Sequence, residues 1–157
     1  MAEPKHILEA RNPDIYDIDF AEWVNWQVEL LETRRFSELD VDNLIDEVSS
    51  LSKRDFRKLE SALRVILLHM LKWDYQQEMR SESWRRSIRV QRDHVTDILE
   101  DSPSFKRRIP EAIVSAYGPA RERASFETTV FLQNFPAECP YTFEDIMHRK
   151  HDFAKDI

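Results

Sequence analysis

The chain has 157 residues, of which 41% are hydrophobic and 34% charged, with a formal net charge of −7 and a single glycine. That length suits one ordinary domain with one core. The negative balance argues against an unspecialised nucleic-acid binder, which needs clustered Lys and Arg. Gly118 alone excludes Gly-rich dinucleotide and P-loop sites and disfavours hairpin-built sheets.

Charge is divided along the chain. Residues 1–50 hold 13 Asp or Glu against 4 Lys or Arg, and the remainder is close to balanced. Two readings fit: acidic residues occupying first turns of helices, or a polarity that brings two copies together. The lone Cys139 cannot form an internal disulfide, and the N-terminus lacks an apolar secretion core. The expected location is the cytoplasm, with no membrane segment.

Residues 1–16 contain Pro4 and Pro13 without periodicity and read as an N-terminal arm. Asp17 or Asp19 is the cap of a first helix, with Phe20, Trp23, Val24, Gln27, Leu30 and Leu31 on its core face and Trp26 to one side. This helix should end near Arg34 and Arg35. Asp40 caps a second helix, with Leu44, Ile45, Val48 and Leu51 facing inward. The interval from Leu51 to Phe56 breaks the stripe, so this helix either stops at Ser49–Ser52 or bends there.

Residues 59–75 read LESALRVILLHMLKWDY, apolar around nearly the whole helical circumference, and such a helix must be enclosed by others. Arg64, His69 and Lys72 are the polar groups expected to enter the middle. After a polar connection over 74–80, Ser81 or Ser83 caps a helix with the stripe Trp84, Ile88, Gln91, Val95, Ile98 and Leu99. Ser102-Pro103 and then Pro110 open the next helical stretch, which Gly118-Pro119 should break or kink. The tail, 132–157, carries Pro136 and Pro140 and a short last helix opened by a capping-box-like Thr142-Phe-Glu-Asp145. The expected fold is one all-α domain spanning 1–157, an irregular bundle of about five or six helices around a buried central one.

An ordered set of short pieces carries a family resemblance: Tyr16-Asp-Ile-Asp-Phe-Ala-Glu-Trp23, Phe36-Ser-Glu-Leu-Asp40 with Asn43-Leu-Ile, His69-Met-Leu-Lys-Trp73, Ser83-Trp84-Arg85, Gln91-Arg92, and Phe135-Pro with Cys139-Pro-Tyr-Thr142. Together they resemble a bacterial family catalogued as domain of unknown function number twenty-nine. The resemblance covers nearly the whole chain. It implies a small all-helical bacterial protein without an assigned activity, cofactor or catalytic residue. Gln77 departs from it where proline is expected, and Pro119 where uninterrupted helix is expected.

His69 interrupts the apolar helix, four residues before Trp73. As a core histidine it needs a hydrogen-bond partner; as a functional one it would be a general base or ligand. Arg64 with His69 spells R-x4-H, similar to the motif of the helical ribonucleases of the HEPN superfamily, in which histidine would handle the proton and arginine the phosphate. Five helical residues rotate the pair about 140° apart, and Val65 stands where that motif often has an asparagine-like residue. Arg85, Arg89 and Arg92 form a basic stripe that suits a partner's carboxylates, or else a self-paired surface.

Asp42 and Asp46 are acidic candidates for partner contact, and Trp26 is a candidate anchor. A metal-dependent hydrolase would draw on carboxylates with His69 or His94. However, the paired Glu-x-x-His of carboxylate bundles is absent, and Cys139, His148 and His151 lack zinc spacing, so no metal and no cofactor is expected. The leading expectation is a noncatalytic protein-interaction or self-association module. A helical ribonuclease or toxin-antitoxin component using Arg64 and His69 is the alternative.

Overall fold

The computed structural model describes residues 15–153, so the arm expected over 1–16 lies outside the described residues up to position 14. Six α-helices follow in order: α1 (Ile15–Ile18), α2 (Phe20–Glu32), α3 (Val41–Tyr75), α4 (Glu82–Asp101), α5 (Ile109–Glu127) and α6 (Phe143–His148). Short 3-10 turns join them, and no strand occurs among the described residues. The protein is all-α. Its backbone forms two compact units divided between Leu51 and Ser52.

In the first unit, Asp19 caps α2 by accepting from the Glu22 amide at 3.0 Å. At the other end Arg34 takes the left-handed conformation, φ 57°. Its amide donates to Leu31 and that of Arg35 to Leu30, the paired closure that usually recruits glycine. Asp40 then joins the two helices. It caps α3, accepts from Trp23 Nε1 at 2.9 Å, and donates its own amide to Gln27 Oε1 at 2.9 Å. Trp23, Gln27 and Leu30 are buried.

Two expectations are corrected here. Of the stop or bend expected at Ser49–Ser52, the stop does not occur: α3 is one helix of 35 residues. Val48 and Leu59 are eleven residues apart and differ by only about 20° in phase, so the apolar rhythm survives even though Leu51 leaves it. Second, Ile45, Val48 and Leu51 are exposed rather than inward, as are Phe20 and Leu31 of α2. The side of α3 that α1 and α2 engage carries Asp40 and Glu47, the latter accepting from the Tyr16 hydroxyl at 2.6 Å. Val41, Ile45 and Val48 lie about 80–160° around the helix from it, whereas Leu51 lies within about 40°.

The second unit is organised by the later turns of α3. Leu59, Leu63, Ile66, Leu67, Met70 and Leu71 are fully buried in a core with Ile88, Val95 and Leu99 of α4. On α5, Ala112, Ala116, Ala120 and Ala124 recur every four residues and are buried, so their backbone can approach α3 closely. Ser81 caps α4 as expected, and Thr142 with Asp145 forms a complete capping box on α6. Of the break or kink expected at Gly118-Pro119, the break does not occur, since α5 runs through Pro119. Arg64 is also corrected, lying exposed on α3 instead of entering the core.

Candidate functional site: two surfaces and a buried polar network

Each helical surface follows from local spacing. On α3, Val41, Ile45, Val48 and Leu51 fall within about 120° of one another. They are 53, 57, 63 and 54% exposed. Asp42 and Asp46 border this stripe, exposed and without an ion-pair partner among the described residues. Trp26 sits on α2, half-buried and engaged by neighbouring groups.

A second surface is a cleft of about 640 Å³ between α3 and α4. Its floor is Ala62, Val65 and Ile98, and its α3 rim carries Arg54, Arg57 and Lys58. Lys58 pairs with Asp55 at 2.8 Å, whereas Arg54 and Arg57 have no carboxylate partner among the described residues. His94 and Asp97 stand on the α4 rim. Sequence reading overlooked this cleft, and the cation run from Lys53 to Lys58 was the available signal.

The arginine stripe of α4 separates into different roles. Arg85, Arg89 and Arg92 all line a cleft of about 420 Å³ against the segment after α6. Arg85 pairs with Glu82 at 3.3 Å and lies over the Phe153 ring. Arg92 donates to the carbonyls of Asp145, Ile146 and Arg149, closing the end of α6, where the last carbonyls of a helix lack partners. It is a structural clamp. Arg89 is exposed and has no such engagement among the described residues.

Next to Arg92 lies a network the sequence did not reveal. Asp74 accepts from the Tyr141 hydroxyl at 2.8 Å and from Arg149 at 3.0 and 3.1 Å. Arg149 also reaches His151 Nε2 at 3.2 Å, so that nitrogen acts as the acceptor. Burial, followed by the nearby Arg149 and Arg92, lowers the His151 pKa to about 4. Burial and the bond to Asp74 raise that of Tyr141. These groups serve to fasten the tail.

His69 is half-buried, its ring centre 6.4 Å from that of Trp84. Its Nδ1 has no hydrogen-bond partner among the described residues, and burial, reinforced by Lys72, lowers its pKa to about 4. Lys72 lies over Trp84 and pairs with Glu127 at 2.9 Å. Arg64 takes no part in this arrangement, and neither Arg64 nor His69 lines the clefts described here. Cys139 lines a third cleft, against α5, where burial raises its pKa and disfavours the nucleophilic thiolate.

Among the described residues no three His, Cys, Asp or Glu side chains gather as a metal site. None of their helices is long and apolar enough to cross a membrane. These features define a small all-α protein whose polar groups chiefly hold helices together. The chain belongs to the family described as Domain of unknown function DUF29, which matches residues 15–152. No curated protein and no solved structure matches it.

Proposed function

We propose that this chain is a noncatalytic protein-interaction module whose docking face is the apolar stripe at the start of α3. One observation carries the reading: Val41, Ile45, Val48 and Leu51 are all more than half exposed on one helical side. Burying such a side chain is worth roughly 1.5–3 kcal/mol, so leaving four in water forgoes several kcal/mol that a partner would recover. The acidic border of Asp42 and Asp46 favours a cationic partner surface. The lone Cys139 supports a reducing compartment, the cytoplasm.

The alternative of RNA cleavage by Arg64 and His69 is the weaker one, because neither side chain lines any of the three clefts described above among the described residues. A photo-crosslinking amino acid at Val48 tests the module directly. Protein adducts should form in cells at Val48 and not at Val114, which is 77% exposed on α5. If Val48 yields no adduct, the reading falls.

A further inference from the structure

We infer that the partner is a second copy of this chain: the α3 stripe of one molecule docks in the α3/α4 cleft of another. This rests on the reading of the stripe as a docking face.

The two surfaces match in form. Val41, Ile45 and Val48 stand at i, i+4 and i+7, the spacing by which one helix lays an apolar side into a groove. The cleft offers an apolar floor, Ala62, Val65 and Ile98, along two neighbouring helices. Its about 640 Å³ has room for several aliphatic side chains.

They also match in charge. The stripe is bordered by Asp42 and Asp46, and the cleft is rimmed by Arg54 and Arg57, all four unpaired among the described residues. Asp97 on the α4 rim is the one acid lining the cleft among the described residues, beside His94. Over residues 15–51 the chain carries ten acidic side chains against two arginines. Every copy therefore brings the acidic helix that this cleft suits.

A contact between different patches is heterologous, so each copy offers one donor and one acceptor surface.

Sedimentation velocity of the full chain from 1 to 200 µM tests this. The average mass should rise with concentration, and the association should weaken several-fold when NaCl is raised from 50 to 500 mM. Ile45→Glu/Val48→Glu and, separately, Arg54→Glu/Arg57→Glu should each weaken self-association at least tenfold while circular dichroism shows unchanged helix. Mixing these two variants should restore association, because one keeps the cleft and the other the stripe. Asp42→Arg/Asp46→Arg combined with Arg54→Glu/Arg57→Glu should restore it within a single chain.

A monomer at every concentration overturns the inference, and so does association that ignores Arg54 and Arg57 or fails to recover on mixing. A monomer that still forms Val48 protein adducts overturns the second-copy assignment alone. A monomer without adducts overturns the module as well.

Discussion

The Lys72 ammonium lies 2.9 Å from the Glu127 carboxylate and 4.7 Å from the centre of the Trp84 ring, joining α3 to α5 and α4 through one buried cation. Lys72 is 8% exposed, so its charge depends on that carboxylate for compensation. Glu127 itself is shared with Arg123 at 2.6 Å, and the two cations hold its pKa below the usual range.

Removing the carboxylate should therefore cost more than removing the ammonium. Glu127→Ala should lower unfolding free energy by about 2 kcal/mol, and adding Lys72→Met should recover part of that loss. Urea titrations of the two variants measure it. Equal stability of Glu127→Ala and the native chain would show the pair to be inert.

Pro119 sits within α5 and is exposed, lacking the amide that would reach the carbonyl four residues earlier. Pro119→Ala should raise stability by about 1–3 kcal/mol, visible as a higher melting temperature. Because the side chain is solvent-facing, no packing is lost in return.

Arg34 holds φ 57° with a Cβ that disfavours that conformation. Arg34→Gly should stabilise the first unit by about 0.5–1 kcal/mol, whereas Arg34→Val should destabilise it. Hydrogen exchange at the amides of Arg34 and Arg35, which close the end of α2, reads the effect locally.

His69 and His151 both have pKa values lowered to about 4 by burial. Unfolded histidine titrates near 6.5, so between these values the unfolded state holds more protons than the native one. Stability should be full above about pH 6.5, fall as pH drops toward 4, and receive no further contribution from these groups below that. For His151, which is 7% exposed, the loss is on the order of 3 kcal/mol. His151→Asn should flatten the slope of stability against pH over that window.

Caps and core were legible because they depend on neighbours in sequence. Asp19, Asp40, Ser81 and the Thr142–Asp145 box accept amide bonds from within three residues, and Leu59 to Leu71 announce burial by leaving almost no polar side. The candidate surfaces were legible only in composition. Arg85, Arg89 and Arg92 look alike along the chain, and only the arrival of α6, more than fifty residues later, turns Arg92 into a clamp on three carbonyls.

The same distinction explains the exposed stripe. A helical wheel identifies which residues of α3 share a side, so the amphipathic character of Val41, Ile45 and Val48 was written in their spacing. It carries no information on which side receives a neighbour. That was settled by the Trp23 and Gln27 bonds to Asp40 and the Tyr16 bond to Glu47, which draw the preceding helices onto another face. Residue order alone thus determined the helical class, the caps and the greasy centre of α3, all set within a few turns. Only tertiary structure decided that Arg64 faces water, that Asp74, Tyr141 and Arg149 meet, and that an apolar face stays open, because each depends on where distant backbone comes to rest.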